Sequence, residues 1–377
     1  MAKNIVICLD GTGNQFKEHN SNIVKLYRVL VKNRDQQAYY DAGVGTLADP
    51  QYKTPIKKRL NKALGLAFGY GIIRNVEEAY QYLMAHYQPG DRVFIFGFSR
   101  GAYTARVLAG LLHACGLLED GNQSLLPYAM KLYRSGKRRF WLFGKKQSPD
   151  FRVLAKFKKT FCRPVDIHFL GLFDAVSTFG FIYSPTFLPF TTNNPSVNTI
   201  RHAMAIDEKR SFFQPMPWGD RHADRQDIKE VWFAGVHSDV GGGYPEAESQ
   251  LAKIALKWML DQATSAEHRL QVDDNAVQRY VLGKQGGGYI GPDHRADHHQ
   301  SLKGAWWLAQ YIPRSVWLVE EKKTGIRFPK QKRDIPAGEA LHQSVYDRIA
   351  DTDYAPVNLG EGSVEVLKEK YAIEPDA

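Results

Sequence analysis

Ser99 lies between two glycines, in the segment Gly97-Phe-Ser-Arg-Gly101, and this setting favours a reactive hydroxyl. A run of apolar, β-branched and aromatic residues, 93–96, predicts a buried strand before it, and small and apolar residues recur at helical spacing after it. This layout is that of a nucleophile elbow, which exposes a serine at the carboxyl edge of a sheet. The sequence therefore predicts a nucleophile at Ser99 and an oxyanion donor in the backbone N–H of Arg100. A structural turn is the alternative.

An acid and a base follow at the ends of later predicted strands. Asp174 comes directly after one predicted strand, and His237 follows another and precedes three glycines. Serine, aspartate, histidine is also the chain order of α/β-hydrolase triads, in which the histidine takes the serine proton and the aspartate orients the imidazole. His237 is therefore the predicted base and Asp174 the predicted acid. His342 is the rival base and Asp239 the rival acid.

The loop after the first predicted strand could complete the site. It reads Asp10-Gly-Thr-Gly-Asn14, a mixture of acid, glycine and small polar residues. The backbone N–H of Gly11 or Thr12 is a candidate second oxyanion donor, and Asp10 is a candidate site-lining residue. The alternative is a turn in which Asp10 caps the next helix.

Two further polar segments are interpreted as structural. The segment 201–210 is predicted to begin a helix, and its His202 and Asp207 are interpreted as parts of an ion network near the site. The histidine-rich segment 293–299 is interpreted as a polar loop, because its side chains lack the spacing of a metal site on a regular element. The sequence predicts no metal and no cofactor.

These groups require a layered fold to bring them together. Hydrophobic patterning predicts strands at 5–9, 38–41, 93–96, 165–173 and 229–235, and helices at 22–31, 72–87 and 250–264. We expect an α/β fold of the α/β-hydrolase type, a doubly wound, mostly parallel sheet with helices on both faces. Residues 1–355 are predicted to form one domain, with a basic and aromatic insertion at about 134–163 acting as a lid. Residues 356–377 are predicted to be a peripheral tail.

Composition sets broader limits. Hydrophobic residues make up 44% and charged residues 24% of the 377 residues, as in a soluble globular protein. A net charge of +10 favours anionic partners such as phospholipid headgroups or nucleic acid, or simply a basic surface. The three cysteines show no metal spacing and are interpreted as core thiols. Without a recognisable signal peptide or membrane span, we expect a cytoplasmic protein in the producing cell, with any export by a route other than the general secretory pathway.

Five ordered motifs carry a resemblance to a known family. They are VICLDGTGN at 6–14, IFGFSRGAYTAR at 95–106, GLFDAV at 171–176, HAMAIDEKR at 202–210 and VWFAGVHSDVGGGY at 231–244. Together they resemble the α/β-hydrolase-like domain family of uncharacterised proteins that includes the first class of type VI secretion phospholipase effectors. The resemblance implies a lipase mechanism on phospholipid or other ester substrates, with the triad at Ser99, Asp174 and His237. It also implies contact with a membrane surface and, for an effector, with immunity or secretion-apparatus proteins.

Two other classes of function stay open at this stage. One is a catalytically idle hydrolase scaffold that binds a ligand or partner. The other is binding of nucleic acid or another polyanion through the insertion at 134–163, where basic residues alternate with Trp and Phe. The ordered triad motifs favour the hydrolase over both, and nucleic acid is the less expected partner.

Overall fold

The structure is a computed structural model of the chain. It describes residues 2–11, 19–43, 66–135, 150–176, 180–181, 184–185, 188–211, 213–219, 224–284, 286–302, 307, 314–318, 323–327, 333–360 and 363–376. The fold and the site are described within these residues.

Eight parallel strands form the central sheet. In chain order they are β1 (Asn4–Leu9), β2 (Gln36–Asp41), β3 (Arg92–Phe98), β4 (Ile167–Phe173), β5 (Val197–Ala205), β6 (Asp227–Phe233), β7 (Ala340–His342) and β8 (Ala372–Glu374). Their order across the sheet is β2-β1-β3-β4-β5-β6-β7-β8, and every neighbouring pair is parallel. The chain therefore changes direction across the sheet between β1 and β3, which opens a crevice at their carboxyl ends.

Helices cover both faces of the sheet. They are α1 (Asn22–Val29), α2 (Leu66–His86), α3 (Arg100–Cys115), α4 (Leu126–Ser135), α5 (Phe151–Phe161), α6 (His237–Gly241), α7 (Gln250–Thr264), α8 (Asp274–Tyr280), α9 (Gln343–Asp351) and α10 (Val364–Lys370). Short antiparallel pairs join Leu117–Leu118 to Cys162–Arg163, Gly180–Phe181 to Ser184–Pro185, and Arg314–Leu318 to Lys323–Arg327. The predicted α/β class and doubly wound arrangement are confirmed.

Alternation along β1 shows how the sheet separates two cores. Ile5, Ile7 and Leu9 face the core formed with α2 and α3, whereas Val6 and Cys8 face the core formed with α1 and α7. All five side chains are buried, because a parallel sheet with helices on both faces shields its strands from water on both sides. This explains why the strand reads as a continuous apolar run.

Most predicted elements are confirmed with shifts of a few residues at their ends, and the helix at 250–264 matches α7. The predicted helix start at 201–210 is wrong, because Val197–Ala205 is the strand β5. Two buried basic side chains interrupt its apolar pattern. Arg201 pairs with Asp227, and Nδ1 of His202 lies 2.7 Å from Oε1 of Glu230, so strand partners satisfy both groups.

The described part of the predicted lid lies away from Ser99. Leu154 and Phe157 of α5 are buried, and Nζ of Lys158 donates to the carbonyl of His113 at 2.8 Å. His113 lies 14 residues along α3 from Ser99, or about 21 Å at 1.5 Å per residue. Residues 136–149, the rest of that prediction, are outside the described residues.

The segment predicted to be a peripheral tail supplies the edge strand of the sheet. Within it, α10 precedes β8, and Leu367 and Tyr371 are buried. Glu374 accepts hydrogen bonds from Nζ of Lys229 and from Nε1 of Trp258, at 2.9 and 3.1 Å. These contacts tie the end of the segment to β6 and α7.

Two sequence-based interpretations concern thiols and membrane spans. Cys8 and Cys115 are buried, Cys162 is half-buried, and all three are free thiols. Of the helices in the described ranges, none is both long and apolar enough to cross a bilayer.

Candidate active site

Ser99 occupies a strained turn between β3 and α3. Its φ and ψ are 58° and −120°, a region that residues with a side chain rarely adopt. On the helix side of the turn, position 101 requires glycine, since a Cβ there would lie 2.1 Å from the carbonyl oxygen of Leu9. The sharp turn places the Ser99 hydroxyl at the carboxyl edge of the sheet, next to the end of β1.

His237 begins α6, shortly after β6 ends. Its Nε2 lies 2.8 Å from Oγ of Ser99. The rings of Phe98 and Phe213 pack against the imidazole, with centroid distances of 4.8 and 4.9 Å. This packing limits the orientations open to the imidazole and keeps its Nε2 directed at the serine.

Asp174 follows β4 and completes the arrangement. Its carboxyl group is fully buried, and its Oδ2 lies 2.5 Å from Nδ1 of His237. The backbone N–H of Ala205 donates to Oδ1 at 3.0 Å. Ser99, Asp174 and His237 thus come together from the carboxyl ends of β3, β4 and β6, as expected when parallel strands end at one edge.

Arg333 also binds Asp174, and no pattern in the sequence indicates this contact. Nη1 lies 2.6 Å from Oδ1 and Nη2 lies 2.9 Å from Oδ2, so the guanidinium binds the carboxylate in a bidentate manner. Arg333 is fully buried and also donates to the carbonyls of Ala205 and Phe213. Burial disfavours the charged carboxylate, but Arg333 and His237 outweigh it and hold the pKa of Asp174 well below its usual range.

The protonation state of Asp174 determines which ring nitrogen of His237 can accept a proton. An ionised carboxylate only accepts hydrogen bonds, so Nδ1 of His237 must carry the proton in its contact with Asp174. In a neutral imidazole Nε2 is then an acceptor, and it faces the hydroxyl of Ser99. The arrangement can therefore remove a proton from Ser99 and support nucleophilic attack on a carbonyl.

Glu208 is another buried acid next to His237, and the sequence did not point to it. Its Oε2 accepts from the backbone N–H of His237 at 3.2 Å, and its Oε1 accepts from the hydroxyl of Ser301 at 2.8 Å. Burial opposes its ionisation, but the hydrogen bonds and charge of Arg210 lower the pKa of Glu208 overall. Glu208 therefore fixes the backbone at the start of α6.

The rival acid Asp239 is committed to another histidine. Its Oδ1 lies 2.6 Å from Nδ1 of His299, and its Oδ2 accepts the backbone N–H groups of Val236 and His299, each at 3.0 Å. Burial lowers the pKa of His299, but Glu248 and Asp239 outweigh it and raise that pKa overall. Asp239 thus holds the segment of His299 against α6.

The rival base His342 lies at the end of β7, where it caps α9. Its Nδ1 lies 2.9 Å from Oγ of Ser344, and its ring stacks on Phe233 with a centroid distance of 4.6 Å. Burial lowers the pKa of His342 to about 4. The structure brings His237, and not this histidine, to Ser99.

His202 and Asp207 support loops next to the triad, which fits their interpretation as structural. Nε2 of His202 accepts the backbone N–H of Ala175 at 3.1 Å, directly after Asp174. Asp207 accepts the backbone N–H of Gly235 and the hydroxyl of Tyr354, both at 2.7 Å. Burial lowers the pKa of His202 and raises that of Asp207.

The predicted oxyanion donors differ in their surroundings. Arg100 is the first residue of α3, so its backbone N–H lies among the first-turn groups that point out of the helix. The N–H of Gly11 donates to Oδ1 of Asp10 at 2.6 Å. Oδ2 of Asp10 accepts from the hydroxyls of Ser21 and Tyr40, at 2.5 and 3.0 Å, so this acid anchors the loop. Thr12 lies outside the described residues.

The part of the chain that the structure describes contains no candidate metal site. No group of three or more His, Cys, Asp or Glu side chains there could hold a metal ion. Of the three histidines in the segment 293–299, His294 and His299 pair with carboxylates.

The chain is similar to a family model and to known proteins. A family model described as "T6SS, Phospholipase effector Tle1-like, catalytic domain" matches residues 3–262. The uncharacterized protein YEL023C of Saccharomyces cerevisiae is 35% identical over 234 residues, covering 57% of this chain and 33% of the yeast protein. The chain thus spans about a third of the length of that relative.

Two solved structures share low sequence identity with the chain. An uncharacterized protein from Pseudomonas aeruginosa is 20% identical with a TM-score of 0.41, covering 77% of this chain and 49% of that one. A Tle1 effector bound to the VgrG spike of the type 6 secretion system is 18% identical with a TM-score of 0.38, covering 67% and 53%. The chain spans about half the length of each.

Proposed function

The chain belongs to the Tle1-like catalytic-domain family of T6SS phospholipase effectors, and from this premise we propose that it is a serine lipase acting on phospholipids or related carboxylic esters. Ser99 is the nucleophile, His237 the general base and Asp174 the acid that orients it. The observation that carries the proposal is the continuous hydrogen-bonded relay, with 2.8 Å from serine to histidine and 2.5 Å from histidine to aspartate.

The first half of the proposed reaction forms an acyl-enzyme. Nε2 of His237 takes the hydroxyl proton as Oγ of Ser99 attacks the ester carbonyl. The resulting imidazolium is stabilised by the ionised carboxylate of Asp174. When the tetrahedral intermediate collapses, the proton passes from His237 to the departing alcohol oxygen, and the acyl group stays on Ser99.

The second half releases the acid. His237 removes a proton from water, the water oxygen attacks the acyl carbonyl, and the proton returns to Oγ of Ser99 as the bond breaks. The products are a fatty acid and the free enzyme.

The negative charge on the intermediate requires donors near Ser99. The backbone N–H of Arg100 is the first, and such a donor contributes about 3 kcal/mol to lowering the barrier. Gly11 or Thr12 supplies the second. The N–H of Gly11 would then exchange its bond to Asp10 for the developing oxyanion, which is the stronger acceptor in the transition state.

Hydrolysis by wild type and Ser99→Ala tests the proposal. We expect kcat/KM on p-nitrophenyl esters and fluorogenic phospholipids to fall by roughly 10⁴-fold or more in the variant, with no effect of a chelator. Ser196→Ala is a matched control, because Oγ of Ser196 lies 2.7 Å from Nδ1 of His113, a serine–histidine contact far from Ser99. A folded Ser99→Ala protein with wild-type activity would refute the assignment.

The family description also leads us to infer an effector role for the activity. An effector would be exported by the type VI route and would meet phospholipid in a recipient cell. The same pair of variants tests this, since wild type directed to the bacterial periplasm should stop growth and Ser99→Ala should not. Equal growth with both would contradict the effector role and leave the hydrolase assignment to the enzymatic assay.

A further inference from the structure

The carboxylate of Asp174 accepts four hydrogen bonds, two on each oxygen. Oδ1 accepts from Arg333 and the backbone of Ala205, and Oδ2 accepts from Arg333 and His237. A carboxylate offers about four lone-pair directions, so every position around it is filled. Half of them are filled by one guanidinium that comes from far along the chain, 159 residues after Asp174.

Arg333 lies beyond the part of the chain that the family model matches. That match ends at residue 262, well before Arg333. Two other residues beyond that boundary make similar contacts, since His299 binds Asp239 and Ser301 binds Glu208. The later part of the chain therefore supplies partners to three acids that surround His237.

We propose that Arg333 is a positioning residue of the acyl-transfer reaction, keeping Asp174 ionised and fixed so that His237 holds the tautomer that can accept the Ser99 proton. This inference rests on the proposed function.

Burial explains why the carboxylate needs such a partner. Asp174 is fully buried, and burial without a counter-charge favours the protonated carboxyl group. A protonated carboxyl can donate its own hydrogen to Nδ1 of His237. The imidazole proton would then sit on Nε2, which could no longer accept from Ser99. The bidentate contact of Arg333 opposes this and also fixes the plane of the carboxylate, because a guanidinium matches it as a planar fork.

The charges around the relay determine the direction of the expected pH effect. Replacing Arg333 by a neutral residue removes a positive charge that touches Asp174, so protons bind more readily to the His237–Asp174 pair. The pair then reaches its inactive protonated forms at higher pH. Among the described residues, the charged or titratable groups near the relay include Asp10, Arg100, His202, Asp207, Glu208, Arg210, Asp239 and His299. These groups are the same in wild type and in the Arg333 variant, so a shift of the acidic limb reports the loss of the Arg333 charge.

Arg333→Met and Arg333→Lys separate the charge from the geometry. We expect Arg333→Met to lower kcat/KM at pH 7 by about 100-fold through kcat, with KM little changed, because the misplaced relay acts after binding. The acidic limb of its pH profile should move up by about one pH unit. Arg333→Lys keeps the charge and loses the fork, so it should keep the wild-type limb and recover only part of kcat.

Arg348→Met is the matched control. Arg348 is also buried, and its Nη1 donates to the carbonyls of His294 and Ala296 and not to a triad residue. Its loss should lower stability while the folded protein keeps the wild-type kcat and acidic limb.

Several outcomes would overturn the inference. A folded Arg333→Met protein with wild-type kcat and acidic limb would do so, as would equal changes in Arg333→Met and Arg348→Met. If Arg333→Met does not fold, Arg333→Lys decides, and full kcat in that variant rejects the positioning role. An active wild type with an inactive Ser99→Ala keeps the hydrolase assignment in each of these cases. A wild type that is inactive on every ester and whose Ser99 is not labelled by a fluorophosphonate would refute both the positioning role of Arg333 and the hydrolase assignment.

Discussion

His342 has no role in the proposed chemistry, so its titration can be followed through stability. Because burial lowers its pKa in the folded protein to about 4, the unfolded chain binds its proton more tightly, with a pKa near 6.5. The unfolded state therefore carries more protons between these values. Stability from this group is fully present above about pH 6.5 and is lost as pH falls toward 4.

We expect His342→Gln to remove part of this pH dependence. The drop in unfolding free energy between pH 7 and pH 5 should be smaller in the variant than in wild type, as measured by urea denaturation. Activity on esters should be retained, because His342 does not contact Ser99 in the structure. An unchanged pH dependence would show that the histidine is not buried in its neutral form.

The sequence locates the residues of the proposed triad but not those that hold them in place. Ser99, Asp174 and His237 each follow a recognisable apolar strand, and their order in the chain has a chemical meaning. Arg333 lies in a basic stretch, QKRDIP, with no periodicity to mark it as buried. Its partner is 159 residues away, and local patterns carry no information on such a pairing. Glu208 is hidden for a related reason: apart from the neighbouring Arg210, its partners are the backbone N–H of His237 and the hydroxyl of Ser301, 29 and 93 residues away.

At the scale of elements, the short helix α6 depends on its glycine. A Cβ on Gly241 would lie 1.8 Å from Cε2 of Phe98, inside the space the ring occupies. The same Phe98 ring packs on His237. Contact between α6 and the elbow therefore sets both the position of the helix and the orientation of the base.

Gly241→Ala should displace α6 and with it His237. We expect a loss of about 1 to 3 kcal/mol in unfolding free energy from overpacking, together with a clear fall in kcat. Gly90→Ala is a control, because a Cβ at Gly90 meets nothing within 4 Å and only its positive φ is strained. Urea denaturation and ester hydrolysis of both variants give the comparison. Equal kcat in the two would mean that His237 does not depend on this contact.

A strand can be recognised in the sequence where all its residues are buried and apolar, and is harder to recognise where charged residues interrupt the pattern or where the strand is very short. The strand β1 reads as a strand because all its residues are buried. In β5, Arg201 and His202 sit inside a buried strand and are paired with carboxylates on β6, so the sequence pattern resembles a polar helix start. The strands β7 and β8 have only three residues each, too few for a period to show.

At the scale of the whole molecule, the sheet is completed by its last strand. Leu367 and Tyr371 pack into the cluster with Leu341 and Tyr346, and Glu374 serves Lys229 and Trp258. Removing residues 364–377 would expose this cluster and leave polar groups without their acceptor.

We expect this truncation to cost at least about 3 kcal/mol, since each large apolar side chain loses roughly 1.5 to 3 kcal/mol of burial. That corresponds to a fall in Tm of about 4 °C for a chain of this size. Removing only 375–377, beyond the end of β8, is the control. Thermal unfolding of the two shortened proteins decides, and an equal Tm would show that the edge strand adds nothing.

The contact between Asp174 and Arg333 also has a consequence for the order of events during translation. At roughly 5 to 20 residues per second, the ribosome reaches Arg333 about ten to thirty seconds after it has made Asp174. A nascent chain at that stage can already have assembled β1 to β6 while its acid still lacks the guanidinium. By the role inferred for Arg333, such a chain would be a poor lipase. On the proposed function, a chain still attached to the ribosome would therefore gain full ester-cleaving activity only after Arg333 has been made and has reached Asp174.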